Sequence, residues 1–126
     1  MRPAICILTL SFLMTACYSP KRDCQKFKTG TFTYSSYSNG KLIEAKIVRN
    51  DSLEIDYLDT QQPDTAKIRW VNDCEYIATK YHPKNQREKQ GYQFKIVETT
   101  KDSYTFEFSK VGEAGFQKIT AKRIQD

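Results

Sequence analysis

Histidine is nearly missing from this chain: His82 stands alone among 126 residues. A Ser-His-Asp or Cys-His centre would hang on that one base, and no serine or cysteine carries the local signature such centres need. The chain is therefore read as a non-enzyme. A zinc site built on two cysteines would need further ligands that a single histidine does not supply, so neither a metal nor another cofactor is expected. The acidic run Asp51, Glu54, Asp56 and Asp59 lacks the glycine and the spacing of a calcium loop. Long apolar runs are also scarce. The longest, residues 4–16 (AICILTLSFLMTA), has 13 residues and is too short to span a bilayer as a helix. Helical periodicity is missing as well, since no window of about 11 residues shows a convincing 3.6-residue repeat.

That apolar run follows Arg2 at the chain start, the layout of a secretory signal core. The residues before Cys17 identify the leader type. Ordinary signal peptidase wants small residues at positions −1 and −3, and Met14 is too large for −3 if cleavage follows Ala16. Leu13-Met14-Thr15-Ala16-Cys17 instead resembles a bacterial lipobox, with Cys17 as the lipidated residue and Met14 a departure from the usual aliphatic pattern. Residues 1–16 are accordingly expected to be a lipoprotein signal peptide, residues 17–28 the lipidated cysteine and a polar, basic tether, and residues 29–126 a single domain. Each buried acyl methylene contributes about 0.8 kcal/mol, so two or three chains would hold the protein on a membrane, most simply the outer membrane of the cell envelope. With Cys6 in the leader and Cys17 acylated, Cys24 and Cys74 remain, an even pair in an oxidising compartment, and a Cys24–Cys74 disulfide is expected.

From Gly30 onward the chain is a series of short runs with a period of two, separated by turn signals. Phe32 and Tyr34 alternate with threonines, and Asn39-Gly40 is the strongest hairpin turn in the chain. Ile43, Ala45 and Ile47 alternate with Glu44 and Lys46; then, beyond Asn50-Asp51, Leu53, Ile55 and Tyr57 alternate with Glu54 and Asp56, which the pattern places on a solvated face. The central unit is WVNDCEYIATKY, where Ala66, Ile68 and Trp70 and then Cys74, Tyr76 and Ala78 recur at every second position around a turn at Asn72-Asp73. In the polar stretch 82–91, Pro83 could open a helical turn or two ending at Gly91. Tyr92, Phe94 and Ile96, then Tyr104, Phe106 and Phe108, form two further runs around Lys101-Asp102. After a turn over 112–115, the phase of the last run slips between Phe116 and Ile119, where a bulge is expected.

About eight strands with one apolar face each, and no helix to cover them, must cover one another. Short consecutive connections favour an all-β, antiparallel up-and-down meander closed into a small lipocalin-like barrel; a curled open half-barrel or a sandwich is the alternative. Alternation sends Phe32, Tyr34, Ile55, Tyr57, Trp70, Tyr76, Phe94, Tyr104, Phe106 and Phe108 inward, an aromatic volume that predicts a filled core. Function would then lie on the outer surface, as a structural or protein-interaction role in the envelope. The alternative is a small barrel that binds an apolar or amphipathic molecule. The net charge of +5 is concentrated near Lys80, Lys84, Arg87, Lys89 and Lys95, with His82 among them. This stretch is the candidate surface for lipid headgroups, envelope polysaccharide or an acidic protein partner; export argues against nucleic acid.

Taken together, Cys17, Cys24, Gly30-Thr31-Phe32, the block Trp70-Val71-Asn72-Asp73-Cys74-Glu75-Tyr76 and Thr100-Lys101-Asp102-Ser103-Tyr104-Thr105-Phe106-Glu107 resemble a family of small flavobacterial-type lipoproteins. Members often carry the label DNA topoisomerase IV. A topoisomerase subunit is many times longer, works in the cytoplasm and needs a catalytic tyrosine in a DNA-gripping scaffold, so the label implies nothing for an exported chain of this size. The resemblance implies a lipid-anchored envelope protein and brings no activity with it. The Gly-x-Phe opening of the first strand also looks like that of lipocalin-type barrels, at the level of fold alone.

Overall fold

The computed structural model describes residues 21–59 and 61–126, so the leader and Cys17 lie outside the described residues. Eight antiparallel strands pair in chain order and close on themselves: β1 (Gly30–Ser38), β2 (Lys41–Arg49), β3 (Leu53–Leu58), β4 (Asp64–Trp70), β5 (Glu75–Lys80), β6 (Tyr92–Thr99), β7 (Ser103–Lys110) and β8 (Gln117–Gln125). The expected meander is thus a closed up-and-down barrel rather than a half-barrel or sandwich. Closure comes from β1 and β8, where Thr31 faces Gln125 and Thr33 faces Lys122, with a bulge between Thr31 and Phe32. Gly30 makes this seam fit: its φ is +132°, and a β-carbon there would run into the Arg123 guanidinium. Asn39 and Gly40, both at positive φ (52° and 74°), turn β1 into β2 as the Asn-Gly signal predicts.

Three turns depart from expectation in detail. The β4–β5 connection spans 71–74, because the Asn72 side chain accepts a bond from the Cys74 amide and holds a wider loop; Cys74 therefore sits in the loop and the strand begins at Glu75. The helical turn after β5 is α1 (Gln86–Lys89), opened by Asn85 rather than Pro83, since the Asn85 side chain accepts the Glu88 amide at 2.9 Å. No bulge separates Phe116 from Ile119: β8 starts at Gln117, Phe116 is exposed ahead of it, and the phase slip lies instead in β6 between Ile96 and Glu98.

One end of the barrel is closed by a segment that composition assigns to the tether. A single 3₁₀ turn, Cys24–Phe27, lies across that end with Cys24 and Phe27 both buried. The Cys24–Cys74 disulfide ties it to the β4–β5 loop across 50 residues of sequence. The Arg22 guanidinium donates to the Ile96 carbonyl, and Gln25 donates to Asp73. Phe27 packs on Tyr104 (5.2 Å between centroids), which meets Phe32 edge to face at 5.1 Å. From there Phe106, Phe94 and Phe108 continue an aromatic ladder up the barrel, with centroids 5.5 to 5.9 Å apart. Trp70 is half-buried beside the plug, 4.7 Å from Tyr76 and under the Lys28 ammonium.

The main correction concerns β3. Arg49 faces Glu54 and Ile47 faces Asp56 across the ladder, and residues directly opposite share a face, so Glu54 and Asp56 point into the barrel while Ile55 and Tyr57 point out. Tyr57 is exposed on the outer wall under the Lys46 ammonium. Two of the ten side chains expected to fill the core are therefore outside it, replaced by two carboxylates.

Candidate functional site

The inverted β3 is held by a buried ion pair. Arg49, the last residue of β2, continues the inward phase of Ala45 and Ile47, and its side chain is fully buried. Its Nε donates to Glu54 Oε2 at 2.6 Å, Nη1 to the Phe27 carbonyl at 2.9 Å, and Nη2 to the hydroxyls of Tyr76 and Tyr104, both at 2.9 Å. The Tyr76 hydroxyl in turn donates to Glu54 Oε2 at 2.9 Å. A buried charge pair is tolerable only when its remaining donors find acceptors, and here each guanidinium nitrogen has one. The network also binds the plug through Phe27, so charge and closure are one feature. Burial pushes the Tyr104 hydroxyl up, as it does that of Tyr76, which keeps both neutral.

Beyond this floor the barrel is open. A cavity of about 510 Å³ extends to the end opposite the disulfide, where β5 leads into the segment carrying α1. One wall is apolar, made by Phe94, Phe106, Phe108 and Ile119, with Ala66 and Ala78 too small to fill the space before it. The other wall is acidic: Glu54 and Asp56 from β3 and Asp64 from β4, which lies directly opposite Asp56. Burial, reinforced by the neighbouring Glu54 and Asp64 charges, pushes the Asp56 carboxyl up to about 7. Tyr34, also on the lining, is pushed up to about 12 by burial and the Asp56 charge. The expected filled core is thus realised in the closed half only.

The structure divides the basic stretch. Lys80 and Arg87 join Lys110 at the mouth of the cavity, and Lys80 is paired with Glu88 at 3.5 Å. Lys84 and Lys89 are exposed and do not line it; His82 is exposed too, packed edge to face on Tyr81 at 4.5 Å. Among the described residues no group of three metal-ligating side chains converges. No family model, no curated protein and no solved structure matches this chain. Of the expected core aromatics, Phe32, Tyr76, Tyr104 and Phe106 are buried, while Tyr34, Phe94 and Phe108 are half-buried on the cavity wall. Sequence reasoning missed Arg49, Glu54 and Asp56. The available signal was the phase of β2, which puts Arg49 in the same inward series as Ala45 and Ile47 and so demands a buried carboxylate nearby.

Proposed function

We propose that this protein is an exported, lipid-anchored barrel whose open half binds a small amphipathic molecule. The observation that carries the binding reading is the cavity: about 510 Å³, open at one end, apolar on one wall and polar on the other. That volume is in the range of small-ligand sites, and a few polar groups against an aromatic wall is the usual make-up of such a site. The leader, the lipobox at Cys17 and the likeness to small flavobacterial lipoproteins support export and anchoring, and a disulfide between Cys24 and Cys74 suits an oxidising compartment. No catalytic role is assigned to any residue, and neither nucleic acid nor a cofactor enters the proposal.

Titration with a neutral, environment-sensitive naphthalene dye tests it. The wild-type protein should enhance the dye's fluorescence in a saturable way, and Ala66→Phe, which fills the space in front of the aromatic wall, should weaken dye binding at least tenfold while keeping a cooperative thermal transition. Dye binding unaffected by Ala66→Phe would place it elsewhere on the surface and remove the reading. A second reading, docking to an envelope protein, has one observation in its favour: Tyr37 and Leu42, opposite each other near the tip of the β1–β2 hairpin, are 77% and 48% exposed. A protein that co-purifies from the envelope and is lost in Tyr37→Ser, with no dye binding to the wild type, would favour that reading instead.

A further inference from the structure

The two walls of the cavity differ in kind, and the acidic one is incompletely satisfied. Glu54 is only 3% exposed, and its Oε2 takes both available bonds, from Arg49 and Tyr76. Its other oxygen, Oε1, accepts no hydrogen bond from a described residue, on a side chain that lines the cavity. Asp56 and Asp64 stand opposite each other on the inward face, a like-charge pair that costs stability in a ladder, and neither has an ion pair among the described residues. The rings of Phe94, Phe106 and Phe108 line the same space and give it an apolar wall. The nearest buried cation, Arg49, has each of its nitrogens bonded.

We infer that the ligand of this cavity is an organic cation: an amphipathic amine whose ammonium lies between Glu54 Oε1 and Asp56 and whose apolar body lies on Phe94, Phe106 and Phe108. This rests on the binding reading above and specifies it. An ammonium supplies the donors that Glu54 Oε1 and Asp56 lack and relieves the Asp56–Asp64 repulsion, whereas an anion at the same depth meets Glu54, Asp56 and Asp64, with the Tyr34 hydroxyl as a neutral donor. Of the three cations at the mouth, Lys80 is paired with Glu88 and Arg87 is exposed to solvent screening, so Lys110 alone, without an ion pair among the described residues, stands against the three carboxylates Glu54, Asp56 and Asp64.

Binding should be linked to the protonation of Asp56. The charged and titratable groups around the cavity are Tyr34 on β1, Arg49 on β2, Glu54 and Asp56 on β3, Asp64 on β4, Lys80 on β5, Tyr92 on β6, Lys110 on β7, and Arg87 and Glu88 on α1; β8 contributes Ile119. Of these, Asp56 is the one whose carboxyl is pushed to about 7. An ammonium prefers the ionised form, so affinity should rise with pH up to about 7 and then level off.

The test is calorimetry with octylamine, 1-octanol and octanoate on the Cys17→Ser form of the full chain, which carries no acyl chains that could enter the cavity. At pH 8 octylamine should bind at least tenfold more tightly than 1-octanol, and octanoate most weakly. The octylamine affinity should fall as pH drops from 7 to 5, towards that of 1-octanol, as Asp56 takes up its proton. Asp56→Asn should remove both the preference and the pH dependence. If 1-octanol binds and octylamine binds no better, or if Asp56→Asn keeps the preference, the cation assignment falls and the cavity reading stands. If none of the three binds, both fall.

Discussion

Asp56 is where a single side chain governs both stability and the proposed binding. Its carboxyl lies near 7 in the folded protein against 3.8 for the free side chain, so folding favours the protonated form. The sign follows directly: the stability associated with that proton is fully present below about pH 4 and is lost as pH rises through 7. Asp56→Asn removes the ionisable group, so relative to wild type it should be stabilising at pH 8, by on the order of 2 to 3 kcal/mol after allowance for the residual exposure of the site, and nearly neutral at pH 4. Urea denaturation of the two proteins at both pH values checks this; an equal difference at pH 4 and pH 8 would mean that Asp56 does not titrate near 7. Arg49 and Glu54 differ in that they are bonded to each other, and removing either would leave a buried charge unpaired.

The 3₁₀ turn and its disulfide make up the element on which the closed end depends. Cys24–Cys74 closes a loop of 50 residues, which in the chain-entropy picture contributes on the order of 4 kcal/mol. Phe27 adds a fully buried ring to the core, and its carbonyl accepts one of the four bonds from Arg49. Replacing both cysteines with alanine should therefore lower the melting temperature by on the order of 10 to 20 °C, and reducing the wild type should do the same. The cavity lies at the other end, so on the proposed binding role the neutral dye should bind about equally below the new transition. Titration of the unfolded, unreduced mature protein should find no free thiol; two would eliminate the bond.

For the molecule as a whole, the disulfide and the cavity mouth lie at opposite ends of one barrel, so the segment leading back towards Cys17 leaves from the closed end. An anchor there would leave the mouth facing away from the membrane that holds it. Globomycin, which blocks lipoprotein signal peptidase, should cause the unprocessed precursor to accumulate, and Cys17→Ser should leave the chain unprocessed at that site and release or mislocalise the protein. Normal processing of Cys17→Ser with continued membrane association would rule out lipidation at that residue.

Much of this architecture follows from local chemistry that the chain carries in its own order. Period-two runs, Asn39-Gly40 and short connections lead to eight antiparallel strands, because each turn and each strand face is decided by neighbours in sequence. The Cys24–Cys74 pair follows from the cysteine count once Cys6 is assigned to the expected leader and Cys17 to the expected lipobox. The phase of β3 does not follow, because alternation shows only that Leu53, Ile55 and Tyr57 share one face and Glu54 and Asp56 the other; which face is inside is decided by register against β2. With Arg49 already inside, that register gives it a carboxylate partner, and the cost of an unpaired buried guanidinium exceeds the gain from burying Ile55 and Tyr57. The cavity is the consequence, since the two side chains that would have filled the open half lie on the outer wall. Phe27 was illegible for a related reason: in a polar segment one aromatic residue gives no periodicity, and only the closed barrel end offers the space it occupies.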